Sequence, residues 1–183
     1  MVSKLFRELN GNGVVVGKKA PVKQESSIAK REGGKVHRRS GAGIVKWDGS
    51  SKDKVWDAKH TDGDTIRLPR AMLTEINATA WAKGKWPFFE LEFSKADRAF
   101  GTHWFLLPLP VYHDIGGVSI DGVYFHRVPT KGPSLGVSLP LLRRASELAK
   151  GDGKLLWLVC YEDSLGDNWV LIGRELKEKL RWQ

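Results

Sequence analysis

The sequence predicts an α/β fold, a mixed central sheet flanked by helices, and three observations carry that expectation. Residues 54–60 alternate with period two, as a half-buried strand does. Pro69 opens a segment running to about Lys83 in which Met72, Leu73, Ile76, Ala80 and Trp81 recur at helical spacing, closed by Gly84. Two apolar runs suited to strands follow, at 86–93 and 103–107.

The N-terminal side of this unit reads less regularly. Residues 1–24 contain a Gly-, Lys- and Val-rich stretch that reads as a mobile arm. Glu25, Ile28, Ala29 and Glu32 then fall at i, i+3, i+4 and i+7, a short helix stopped by Gly33-Gly34. Strand-like pieces at 35–39 and 44–48 enclose Ser40-Gly41-Ala42-Gly43, a turn that lets backbone approach a ligand, and 49–53 is a hairpin loop. Asp53, Asp62 and Asp64 read as turn residues.

The C-terminal side, 110–183, is expected to be an extension packed on a core spanning 25–109. Asp121-Gly122 between two apolar runs predicts a hairpin of 118–120 with 123–128. Residues 136–140, a helix ending near Gly151 to Gly153, and strands at 155–161 and 169–172 echo the unit that begins at Thr65, a possible helix-strand-strand repeat.

Length and composition bound the function. A chain of 183 residues supports one substantial core, burying about 70% of its unfolded surface. A net charge of +9 and a pI of 9.7 favour a polyanionic partner such as nucleic acid. Cys160 is the single cysteine, which excludes an intramolecular disulfide and a multi-cysteine metal site. The five histidines show no zinc spacing. Trp81, Trp104 and Trp157 fall on apolar stripes and are expected in the core, leaving Trp47 as the tryptophan near the site. The N-terminus lacks a secretory h-region and no run approaches the ~20 apolar residues of a membrane span, so a cytoplasmic setting without membrane association is expected.

The chemistry rests on Asp48, Asp57 and Lys59. A hairpin between Asp48 and Asp57 can bring two carboxylates to one end of a sheet, and Lys59 shares a strand face with Asp57. Two carboxylates and an ammonium group suit metal-assisted phosphodiester cleavage: hard oxygen donors for Mg²⁺ and a cation near the attacking water or developing charge. The spacing by itself is also what a surface of exposed ion pairs would show.

Around these residues the chain resembles phage-encoded relatives of the archaeal Holliday junction resolvases, a branch of the PD-(D/E)xK nuclease superfamily. The likeness runs through 25–34, Arg38-Arg39-Ser40-Gly41-Ala42-Gly43, Lys46-Trp47-Asp48, Val55-Trp56-Asp57-Ala58-Lys59, Thr65-Ile66-Arg67-Leu68, 81–85 and 87–93. It covers roughly residues 25–107, and the order of the motifs is its most specific part. It implies a restriction-endonuclease-like core with the C-terminal helix-strand-strand elaboration. Asp48 and Asp57 would be metal ligands, Glu25 on the first helix would assist with metal or water, and Lys59 would be the active-site lysine. Glu25 and Glu32 compete for the helix position, and Glu25 also suits a first helical turn without doing chemistry. Trp47 stands where the family pattern has proline, and Asp57 where glutamate is commoner.

The expected activity is hydrolysis of DNA, with branched junctions as substrate, Mg²⁺ as cofactor (Mn²⁺ substituting) and a homodimer supplying two nicks. Arg31, Lys35, Arg38, Arg39, Ser40 and Lys46 are the expected DNA contacts, part of a basic run beside Asp48 that also includes Lys30 and His37. Two rivals stay open: a nuclease acting on ordinary duplex or single-stranded DNA, and a non-catalytic nucleic-acid-binding or inhibitory protein on the same fold.

Overall fold

In the computed structural model the described residues are 24–37, 47–96, 101–163 and 166–180. The expected arm, apart from Gln24, lies outside them, as do Arg38, Arg39, Ser40 and Lys46.

Helix α1 occupies 24–31. Short strands β1 (Lys35–Val36) and β2 (Gly49–Ser50) lead to β3 (Lys54–Thr61), β4 (Thr65–Pro69), α2 (Arg70–Trp81), β5 (Trp86–Phe93) and β6 (His103–Pro108). Helix α3 (Leu109–Asp114) and a 3-10 turn (Gly117–Ser119) precede β7 (Val123–Thr130), β8 (Ser134–Ser138), α4 (Leu139–Gly151), β9 (Leu156–Asp163), β10 (Trp169–Gly173) and α5 (Arg174–Lys179). The mixed sheet has eight strands in the order β1-β2-β3-β5-β6-β10-β9-β7, with β4 and β8 forming a separate ribbon. Pairs β3–β5 and β7–β9 are parallel and the rest antiparallel.

Both sheet faces are buried, which is why its strands read as apolar runs. On one face Val55, Phe89, Leu91, Leu106, Val159 and Leu171 pack with Leu73, Ile76 and Ala80 of α2 and Leu142 and Ala145 of α4. On the other, Trp56, Phe88, Phe105, Leu158 and Val170 meet Ile28 of α1, Val111 of α3 and Leu176 of α5. Among the described residues no helix is long and apolar enough to cross a membrane.

The second half repeats the first. β3-β4-α2-β5-β6 and β7-β8-α4-β9-β10 have the same order and the same strand directions, so the repeat is larger than the helix-strand-strand unit expected from sequence. The two copies are related by an approximate twofold axis. The β6–β10 ladder runs from Trp104↔Gly173 to Pro108↔Trp169 and is centred on Leu106↔Leu171. The β4–β8 ladder runs from Thr65↔Ser138 to Pro69↔Ser134 and is centred on Arg67↔Gly136. Reciprocal bonds tie the helix starts: Arg70 N donates to Pro133 O and Leu139 N to Asp64 O, each at 2.9 Å. Each helix also ends at a glycine in the left-handed region, Gly84 (φ 62) and Gly153 (φ 68).

Four expectations are corrected. The Asp121-Gly122 hairpin does not form. Gly122 does turn the chain (φ 76), but the preceding residues are drawn into the 3-10 turn, where buried Tyr112 donates its hydroxyl to Gly117 O at 3.0 Å, and β7 pairs in parallel with β9. Trp81 is 44% exposed rather than core, its Nε1 donating to Asn77 Oδ1 at 2.6 Å. Its helix ends there and not near Lys83. The strand paired with β3 is Gly49–Ser50, where a loop was expected, and Trp47 and Asp48 precede it.

That placement depends on Trp56. Its indole is fully buried against Gly34 and Gly49, where an added Cβ would fall 2.3 and 2.2 Å from ring atoms. Gly49→Ala is therefore expected to cost about 1–3 kcal/mol by overpacking and to loosen the Asp48 segment. Gly136→Ala, with no atom within 4 Å of the new methyl group, serves as the neutral control in urea unfolding.

Candidate active site

Strand pairing brings the acidic residues together. The β2–β3 register pairs Gly49 with Trp56 and Ser50 with Val55, so one step further sets Asp48 across from Asp57. Asp48 Oδ2 accepts the Ala58 backbone N–H at 2.8 Å, and its own carbonyl accepts His37 N–H at 2.8 Å, fixing the residue from both sides. Asp57 and Lys59 lie two apart on β3, on one face, and the Lys59 ammonium forms an ion pair with Asp57 Oδ2.

Asp57 is 3% exposed and Asp48 8%. Burial pushes the Asp57 carboxyl up to about 7; the adjacent Asp48 carboxylate adds to the rise, and Lys59 offsets part of it. Among the described residues no hydrogen bond of ordinary geometry reaches Asp57 Oδ2. Two carboxylates forced together in a dry place, one of them holding its proton to neutrality, form a site that a cation would relieve.

The helix carboxylate facing this pair is Glu25. Burial raises its proton affinity, the Asp48 charge raises it further, and Lys59 lowers it, so Glu25 shares the field of Asp48 and Lys59. Glu32 is occupied elsewhere. It meets Lys177 Nζ at 2.8 Å, Arg31 Nε at 2.9 Å and Lys54 Nζ at 3.1 Å, knitting α1 to β3 and α5. Burial opposes its charge, but Lys177 and Arg31 bring its carboxyl down to about 2.

The donors fit a hard cation. All are carboxylate oxygens, and Mg²⁺ is commonly held by one or two carboxylates with water filling the remaining positions. Among the described residues no three His, Cys, Asp or Glu side chains surround a common ion position, so Glu25 adjoins the Asp48–Asp57 pair without completing a three-carboxylate cage.

Of the expected DNA contacts within the described residues, Lys35 is exposed on β1 beside Ser50. Arg31 is held by Glu32 and by Glu90, a β5 carboxylate that is 1% exposed and also meets His103 Nδ1 at 3.1 Å. The Arg31 charge is thus committed to neutralising buried carboxylates. Lys83 and Lys85, part of the 81–85 motif of the resemblance but given no site role from sequence, belong to the rim of the site. After burial, they are the main groups depressing His37 protonation, and His37 Nε2 lies 3.0 Å from Ser50 Oγ. Their position follows from the β3–β5 pairing, in which Trp86 N donates to Asp53 O at 2.7 Å.

Asp57 should reduce stability. Its carboxyl ionises near 3.8 in the unfolded chain and at about 7 when folded, so stability falls as pH rises through that interval and is lowest above 7. Asp57→Asn is expected to stabilise the metal-free protein by on the order of 2 kcal/mol at pH 8, with little gain at pH 4. Thermal unfolding in chelator at both pH values checks this; equal effects would remove the raised carboxyl.

No protein-family model, curated protein or solved structure matches this chain.

Proposed function

We propose that the protein is a Mg²⁺-dependent endonuclease with a PD-(D/E)xK-type core, and that its substrate is branched DNA such as a four-way junction. The observation that carries this reading is the convergence of Asp48, Asp57 and Lys59 on the outer part of one sheet, with Glu25 alongside. Nine positions separate the two aspartates in sequence, yet they face each other across a ladder.

In this reading Asp48 and Asp57 would hold Mg²⁺ (or Mn²⁺), which when bound supplies Lewis acidity toward a phosphodiester oxygen and an acidified water. Asp48 is oriented by the Ala58 N–H, so it offers its remaining lone pairs in a fixed direction. Lys59, about one-third exposed, is the member of the trio that solvent and a phosphate can reach. It would position the attacking water and steady negative charge as the bond to the leaving oxygen breaks. Glu25, with its raised proton affinity, would hold a water at the rim.

The charge distribution supports a polyanionic partner. Of the net charge of +9, residues 1–47 contribute +8, eleven Lys and Arg against three Glu, leaving the rest nearly neutral. Arg38, Arg39, Ser40 and Lys46 belong to that portion, as do Lys35 and His37. Affinity concentrated in one segment should fall steeply with salt.

With Mg²⁺, the wild-type protein is expected to cut a four-way junction in preference to linear duplex of the same sequence. Asp57→Asn should reduce cutting by at least about a hundredfold while junction binding in chelator persists. Equal cutting of both substrates would remove the junction preference, and an active Asp57→Asn would remove the site assignment. Because protons compete for Asp57 below pH 7, the Mg²⁺ concentration for half-maximal rate should rise by about fivefold as pH falls from 7 to 6.

A further inference from the structure

The twofold relation allows every site residue to be asked for its counterpart. A single row of paired residues crosses the sheet: Asp57↔Phe89, Phe89↔Leu106, Leu106↔Leu171, Leu171↔Val159 and Val159↔His126. The row is symmetric about Leu106↔Leu171, so the counterpart of Asp57 is His126. Two positions along, Lys59↔Leu91 and Leu91↔Trp104 on one side match Val128↔Tyr161 and Tyr161↔Trp169 on the other. The core positions keep their character, Leu106 matching Leu171 and Trp104 matching Trp169, while the two chemical positions become His126 and Val128.

Asp48 has no counterpart either, for a structural reason. The β2 strand that presents it lies along the outer edge of β3, whereas among the described residues no strand lies along the outer edge of β7. The turn that precedes β7 is 3-10 helix instead.

We infer that each molecule carries one cutting site within a frame that has twofold symmetry, and that it therefore nicks one strand per binding event instead of making paired incisions. This rests on the nuclease reading above. Paired incision requires two sites held at fixed spacing on one DNA. Here the faces that would join two half-units symmetrically, β6 to β10 and β4 to β8, are already closed inside the chain, and the far end of the row offers an imidazole and an isopropyl group where the near end offers a carboxylate and an ammonium. Each nick is a hydrolysis: water adds to phosphorus, one P–O bond breaks, and the second strand stays intact until another encounter.

The test is a supercoiled plasmid extruding one inverted repeat as a four-way junction, digested by the full-length protein with Mg²⁺. Nicked circles should accumulate and persist at every protein concentration, because the first nick releases the supercoiling that holds the junction extruded and so removes the substrate. Linear product that appears without a nicked precursor would overturn the single-incision inference and leave the nuclease reading intact. Absence of both products with Mg²⁺ and with Mn²⁺ would overturn the nuclease reading and this inference together.

Discussion

The pairing of β6 with β10 is the constraint on which the rest of the molecule depends. It joins two β-β-α-β-β units into one sheet and sets the axis about which everything else is arranged. Trp104, Leu106, Trp169 and Leu171 at this seam are all buried, so shifting the ladder by one residue would turn each of them to the wrong face. The β4–β8 ribbon and the reciprocal bonds from Arg70 and Leu139 close the same axis on the helical side. Symmetry ends at the outer strands, and that is where the chemical groups are found.

Much of the first unit was legible in the sequence because its signals are local. The period-two run of β3, the stripe of Leu73, Ile76 and Ala80, and the apolar runs of β5 and β6 each depend on near neighbours, and all formed where expected. Asp57 and Lys59 sharing a face follows from the same period. What was not legible depends on distant partners. The Asp121-Gly122 dipeptide carried a hairpin signal, but Tyr112 claimed the residues before it and β9 offered β7 a parallel edge. The choice of Glu25 over Glu32 turned on Lys177, 145 residues away in sequence. Helix α5, which supplies Lys177, and α3 are each six residues long, too short to declare themselves by periodicity.

The two acidic clusters around α1 follow opposite rules. Glu32 is surrounded by Arg31, Lys54 and Lys177, so its charge is compensated and its role is to hold α1, β3 and α5 together. Asp57 has a like charge beside it and a lone ammonium opposite, so its charge is under-compensated. The first arrangement favours the fold; the second works against it and is tolerated where a bound cation would complete the neutralisation. Glu25 in α1 and Glu32 just past its end belong one to each cluster, two turns apart.

The outer edge of β7 bears on how the molecule behaves in company. A free strand edge is a template for further strands, and among the described residues the second unit lacks the covering β2 of its twin, an arrangement that would ordinarily invite fibrous stacking. Here the edge strand contains Pro129, which has no amide hydrogen to donate, and the exposed guanidinium of Arg127, paired with Glu162. At the opposite margin β1 is only two residues long. Growth of the sheet by recruitment of neighbours is thus discouraged at both borders.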